Sequence, residues 1–239
     1  MVTIERVMVG TPRELLPGEM SAIWKDTVAG PVHLGEPGLA GDGHAYHAHG
    51  GPDKALFHYA GEHYRMWADR FDSARVAAGM SVFDAGDGKP VLPSRTLFGE
   101  NILTLGMTEH TVCLADRYRI GESVVVEVSQ PRQPCWKLGY TSGAAEIPAI
   151  MQEMAATGWY YRVLHAGPVA AGDSMELESR PLPEWTLARM IEGFYGTPDD
   201  RGFLEELDRL TQLSNEWRTV VRNRLSTGTV EDWNGRLYR

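Results

Sequence analysis

The sequence predicts a mainly β domain with helical insertions, followed by a small three-helix bundle. Three observations lead there. From residue 20 to about residue 180, short β-like runs alternate with Gly, Pro and Asp. After "SRPLP", which ends at Pro183, the apolar spacing changes to the i, i+3, i+4, i+7 pattern of amphipathic helices. The length of 239 residues, 43% hydrophobic and 23% charged, is enough for one large β core and a small appendage. The expected units are residues 1–183, with a core over about 20–180, and residues 184–239.

The β-like runs are, in order, "SAIW", "ALFHY", "NILTL", "YRIGESVVVEVS" and "SMELES". Between them, "GEHYRMWADRF" and the region around "AAEIPAIMQEMAAT" read as helices, with Pro148 suited to a first turn and Gly158 to a helix end. "DAGDGKPVLP", Asp84 to Pro93, reads as an exposed loop. In the tail, Leu187, Met190, Ile191 and Phe194 share one helical face. "TPDDRGFLEELDRL" reads as a second helix, with acids in its first turn and Phe203, Leu204, Leu207 and Leu210 on its apolar face. Ser214 can cap a third, with Trp217, Val220, Val221, Arg224 and Leu225. This tail carries no evident chemistry and is expected to cover the β domain or to make a homodimer.

The net charge of -9 argues against broad nucleic-acid binding, which depends on Lys and Arg against phosphates. Runs such as "SVVVEVS" fall far short of the roughly 20 apolar residues that cross a bilayer. "MVTIERVMVG" lacks the apolar stretch of a signal peptide, so a cytoplasmic location is expected. Cys113 and Cys135 are the two cysteines, expected as free thiols.

Four clusters are candidates for chemistry. The segment "GDGHAYHAHGGPDKALFHY" is the most polar, and five of the eight histidines fall between His44 and His63. His44, His47 and His49 can be imagined around zinc, but no established ligand spacing is present. In "HGGPDKAL", Gly50 and Gly51 permit close backbone approach to an anionic group, and Lys54 can place an ammonium beside it. The other reading is a tight turn before a strand, with Asp53 bonding its own loop. "LFGENILT" adds Glu100 and Asn101, and "SAIWKD" adds Lys25; each alone reads as ordinary structure.

The fourth cluster is "SVVVEVSQPRQPCWKL". Its prolines fix φ and remove donors, so the sequence predicts that the strand ends before them in a stiff extended turn that presents Cys135. Arg132 and Lys137 are suited to favour a thiolate, the form that acts as nucleophile or metal ligand. A Cys–His nucleophile would need a base such as His49, His58 or His165. Cys113, in "HTVCLA", reads as a small core residue. Of the 23 basic residues only four are lysine, and Lys25, Lys54 and Lys137 all lie in these clusters.

The ordered set "SAIWK", "GLAGDGHAYHAHGGPDKALFHY", "LFGENI" and "YRIGESVVVEVSQPRQPCWKL" resembles the MOSC domain family, and within it the stand-alone bacterial YiiM-like branch. The tail resembles the three-helix domain of that branch. The resemblance implies a MOSC-type β-barrel and a molybdenum cofactor of pterin type, with Cys135 as protein ligand to the metal. It makes Lys25, Lys54, Arg132, Lys137, Gly50 and Gly51 candidates for the anionic pterin, with His49, Asn101 and Gln130 as further hydrogen-bonding candidates and Glu100 as an orienting partner for a cation. The implied reaction reduces N-hydroxylated compounds, such as hydroxylamino-purine base analogues, to amines. His49 or His58 then becomes the candidate proton relay, and electrons must come from a separate reductase or ferredoxin-like partner. A cofactor or sulfur carrier without turnover is the competing expectation.

Overall fold

The computed structural model describes residues 1–46, 49–70 and 96–238. The loop expected from Asp84 to Pro93 lies outside these residues, as does His47. The β part contains β1 (Val2–Val9), β2 (Arg13–Leu16), β3 (Glu19–Ser21), β4 (Asp26–Thr27), β5 (Val32–Gly35), β6 (Gly38–Leu39), β7 (Leu56–Ala60) and β8 (Ile102–Thr104). It continues with β9 (Arg117–Ile120), β10 (Val124–Pro131), β11 (Trp159–His165), β12 (Gly167–Val169) and β13 (Ser174–Ser179). The helices of this part are α1 (Gly61–Arg70), α2 (Trp136–Ser142) and α3 (Ile147–Glu153).

Seven strands close into a barrel in the order β13-β9-β10-β11-β7-β8-β1, and β1 returns to β13. Antiparallel pairing around a ring of seven cannot alternate throughout, so one junction must be parallel; it is β7 with β8. A parallel pair needs a crossover, and α1 lies within it. β1 had no counterpart among the β-like runs read from residue 20 onward, yet it sits in the ring because Ile4 and Val7 enter the interior cluster.

Two apolar clusters organise the barrel. Val124, Val126, Val128, Leu56, Ile102, Trp159 and Tyr161 share the inner one with residues of the helical tail. Met8, Phe57, Tyr59, Leu103 and Leu138 form the second, with Tyr64 and Trp67 of α1 and Met151 of α3. The alternation of neighbours such as Leu56 and Phe57 between the two is the period-2 geometry of a strand.

The tail folds as α4 (Leu187–Gly196), α5 (Arg201–Arg209), α6 (Asn215–Thr227) and α7 (Asn234–Leu237). Thr186, Asp200 and Ser214 cap the first three by accepting from Arg189 N, Phe203 N and Trp217 N. Gly158 does not end α3, which stops at Glu153. It has φ +74, and a Cβ there would lie 2.6 Å from the His58 carbonyl oxygen, so glycine is required for chain approach. Among the described residues no helix is long and apolar enough to cross a membrane.

Candidate functional site

One irregularity in β10 places the site on the outer face of the barrel. Strict alternation after Val124, Val126 and Val128 would send Gln130 into the interior. Instead the register shifts between Val128, opposite Tyr161, and Gln130, opposite Tyr160. Such an irregularity re-aims side chains. Ser129, within it, donates its hydroxyl to the carbonyls of Asp53 at 2.5 Å and Tyr160 at 3.0 Å. Gln130, Tyr160 and Phe57 then form a row across β10, β11 and β7. Asn101 extends it, accepting at Oδ1 from Phe57 N at 3.0 Å. The row floors a cleft of about 280 Å³, also lined by Lys25, His49, Lys54, Arg132, Cys135 and Lys137.

β10 runs through Pro131, which pairs with Trp159, and does not stop before the prolines as the sequence predicts. Proline is tolerated because the pairing with β9 has ended at Glu127, which leaves this end of β10 as an edge on that side. Beyond it, Cys135 is a half-buried free thiol in extended backbone immediately before α2. Cys113 is buried, as its apolar neighbours predict.

The four cations divide into two kinds. Lys25 Nζ donates to Asp42 Oδ2 at 2.5 Å, with both side chains buried. Burial pushes the Lys25 ammonium below its ordinary value, and Asp42 and Glu100 pull it back up. Lys137 Nζ donates to Glu19 Oε1 at 2.6 Å and to the Met20 carbonyl at 3.1 Å. Lys54 pairs with Glu216 of α6. Arg132 differs: it is 7% exposed, its guanidinium lies 5.1 Å over the Phe57 ring, and its Nη1 is buried with no hydrogen-bond partner. Among the described residues no carboxylate lies within ion-pair distance of it. Gln130 Oε1 is likewise buried without a partner. A buried donor and a buried acceptor left open in one cleft call for a ligand.

The other sequence candidates fall in different places. Asn101 lines the cleft, but its amide donates to Asp42 Oδ2 at 2.8 Å and the Met8 carbonyl at 3.2 Å, so it works as a strut. Glu100 is fully buried and outside the lining, where it accepts from the Tyr64 hydroxyl; burial raises its pKa. Gly50 and Gly51 also lie outside the lining. Gly50 packs under His44, whose Cδ2 would be 2.4 Å from an added Cβ, and Gly51 has φ +109 at the start of the Pro52–Lys54 turn. His49 is in the cleft. Crowding by protein, then Lys137, Lys54 and Arg132, lowers its imidazole to about 4. The His49 residue is exposed, and the three neighbouring cations oppose a further positive charge on its ring.

His58 is not in the cleft. It neighbours Phe57 in sequence, so strand alternation turns it to the interior, between the Tyr161 hydroxyl at 3.0 Å and Thr104 Oγ1 at 2.8 Å. His165 sits at the exposed end of β11. Of the zinc candidates, His47 lies outside the described residues; no three other potential ligands converge among those described.

Three charged lining residues escaped the sequence reading, as did the aromatic floor of Phe57 and Tyr160. Asp42 accepts from Gly10 N at 2.8 Å as well as from Lys25 and Asn101, and joins loops far apart in the chain. Its place between Gly41 and Gly43 was the available signal. Glu216 and Arg236 come from the helical tail, which therefore reaches the cleft directly. Nothing local to α6 or α7 announces that.

The four clusters, far apart in the chain, thus line one cleft. The family description "MOSC domain" matches residues 45–176, and "YiiM-like, 3-alpha helix domain" matches residues 185–228. The chain belongs to the MOSC domain family. Within it the chain is YiiM-like: it is 37% identical to Protein YiiM of Escherichia coli (strain K12), over 92% of each chain. The crystal structure of YiiM from Escherichia coli matches with a TM-score of 0.77 and 32% identity, covering 100% of both chains. That of YiiM from Geobacillus stearothermophilus matches with a TM-score of 0.74 and 30% identity, covering 94% of this chain and 100% of the other. A protein named "Reductase" from Gibberella moniliformis is 35% identical over 72% of this chain and 28% of its own length. The MOSC barrel and the helical unit of the YiiM-like branch are therefore both present, and the match to the barrel begins after Lys25 and ends before the tail residues that enter the cleft.

Proposed function

We propose that this MOSC protein binds a molybdenum cofactor of pterin type and reduces N-hydroxylated compounds, such as hydroxylamino-purine bases, to amines. The observation that carries the proposal is the grouping of Cys135 with the open polar atoms of Arg132 and Gln130 in one cleft. The donor set fits such a group. A cysteine sulfur suits a soft metal, an unpaired guanidinium suits an anionic pterin, and a free amide oxygen can accept from a pterin N–H. When bound, the cofactor supplies a two-electron couple and an open metal position.

In this reading Cys135 holds the metal. Arg132 binds the anionic part of the cofactor, and Gln130 fixes its orientation. Lys25, Lys54 and Lys137 set the positive field of the cleft while their carboxylate partners hold them in place. The Phe57 and Tyr160 rings, with centroids 4.9 Å apart, lie under the Arg132 guanidinium and the Lys54 ammonium and hold both cations at the floor of the cleft. The conversion R–NH–OH + 2 e⁻ + 2 H⁺ → R–NH₂ + H₂O needs protons delivered at the cleft. His49, with its pKa near 4, is neutral at neutral pH and accepts or passes a proton without holding it. The electrons come from a separate reductase or ferredoxin-like protein. The working units are residues 1–183 and 184–239.

Metal and pterin analysis of protein from a cofactor-competent host, paired with an assay on an N-hydroxylated base, tests this. Cys135→Ser is expected to lose molybdenum and to drop turnover by on the order of 100-fold or more. Undiminished activity in that variant sinks the proposal. Cofactor retained by the wild type without turnover makes the protein a carrier.

A further inference from the structure

The helical tail does more than cover the barrel. β9 pairs with β10 from Val124 to Glu127, and Asp116 and Ala115 bond to Val128. From Ser129 onward that side of the chain has no strand, and the tail takes over. Ser214 N donates to the Ser129 carbonyl at 3.2 Å, Trp217 Nε1 donates to the Pro131 carbonyl at 3.1 Å, and Arg236 Nη1 donates to the Pro134 carbonyl. Three donors from the cap of α6, from its first turn and from α7 thus hold the segment that leads to Cys135. The second arm of Arg236, Nη2, donates to Gln152 Oε1 of α3 at 2.7 Å, which anchors the guanidinium to the barrel side. The same end of α6 grips the opposite wall: Asn215 N donates to Asp53 Oδ2 at 3.4 Å, and Glu216 pairs with Lys54.

This arrangement has a physical consequence. Within the Pro-rich run Pro131 and Pro134 have no N–H to donate, and Arg132 N supplies one tie, to the Gly158 carbonyl at 2.9 Å, so the carbonyls of Pro131 and Pro134 are the further handles by which the fold can fix it. The Pro134 carbonyl belongs to the peptide that joins Cys135, and its orientation sets where the thiol sits.

We propose that the C-terminal helical unit positions Cys135, and that Arg236 is the positioning residue that fixes the Pro134–Cys135 peptide. The inference rests on Cys135 being the functional thiol of the cleft, but its test needs no cofactor. Alkylation of Cys135 by iodoacetamide, resolved by peptide mass, and amide exchange over residues 129–139 are measured on the full chain. In Arg236→Leu both should accelerate, alkylation by on the order of tenfold, as expected for losing a charged hydrogen bond. Exchange in the barrel strands should stay at its wild-type rate. Arg236→Lys, which keeps a donor for the Pro134 carbonyl, should recover part of the protection. Trp217→Phe, which keeps the buried ring and removes one donor, should move both rates the same way by less. Arg222→Leu, an exposed α6 position paired with Asp208, should leave both unchanged. If Arg236→Leu fails to fold, Arg236→Lys and Trp217→Phe decide the matter. Wild-type alkylation and exchange in folded variants overturn the inference. A protein that never holds molybdenum yet shows these accelerations would keep the positioning role and discard only the proposed reaction.

Discussion

The two walls of the cleft treat buried polar groups in opposite ways. On the wall formed by residues 19–25, Asp42 and Asn101, with Lys137 reaching in from α2, the polar groups are engaged: Lys25 with Asp42, Asp42 with Asn101 and Gly10, Lys137 with Glu19. On the wall at the end of β10, Gln130 Oε1 and Arg132 Nη1 are buried and open. A fold does not leave such atoms open without cost, since an unpartnered buried group forfeits about 1–3 kcal/mol. The first wall is therefore a frame whose charges hold the fold. The second is a place kept for a ligand, held at some expense to the ligand-free protein.

The largest expected effect tests the engaged polar groups as a class, at the barrel interior behind the frame. His58 is fully buried and held neutral, its pKa pushed down to about 3 by burial. Above pH 6.5 neither folded nor unfolded chain protonates it. As pH falls from about 6.5 toward 3, the unfolded chain takes up the proton and the folded one does not, so stability is lost by on the order of 4 kcal/mol across that window. Urea titrations at stepped pH should show this slope, and His58→Gln should flatten it. An unchanged slope in the variant would remove His58 from the set. Next comes Lys25→Met, which leaves Asp42 buried with its strongest partner gone. The loss expected is about 3 kcal/mol, read by urea denaturation of the cofactor-free protein. A loss below about 1 kcal/mol would mean that the frame is not held by this pair.

How much of this was legible in sequence follows from how local each determinant is. Four of the five β-like runs, the two insertions and the cap at Ser214 are written in short periods and single residues, and they reappear in the structure. "SAIW" does not, since β3 ends at Ser21 and residues 22–24 are irregular, and the acids expected inside the first turn of α5 stand before it, with Asp200 as its cap. The clustering of Lys25, Lys54, Arg132, Cys135 and Lys137 was legible too, through motif order. What was not legible depends on register. Whether Phe57 or His58 faces the cleft is a matter of one residue, and the irregularity at Ser129 that turns Gln130 outward leaves no mark in "VSQPRQPC". Partnership across long sequence separation was equally hidden. Glu216 lies 162 residues from Lys54, and Arg236 lies 102 residues from Pro134. The tail looked idle because its contribution consists of single donors at helix ends, where the amphipathic pattern carries no information.

The smallest effect in stability separates the two walls most sharply, because its sign reverses. Arg132→Met removes a buried guanidinium that has no carboxylate partner among the described residues and keeps an apolar chain against Phe57. In the frame, deleting a cation destabilises, since a buried carboxylate is left behind. At Arg132 no such carboxylate is stranded, and the desolvation penalty of the charge disappears with it. The ligand-free variant should therefore be more stable than wild type by about 1 kcal/mol, while molybdenum and pterin content from a cofactor-competent host falls at least tenfold. Both quantities come from the same preparations, by denaturation after cofactor removal and by metal analysis before it. Destabilisation of the ligand-free variant together with full cofactor content would make Arg132 part of the frame and collapse the distinction between the walls. A gain in stability with loss of cofactor would identify Arg132 as the group whose burial is sustained by what binds there.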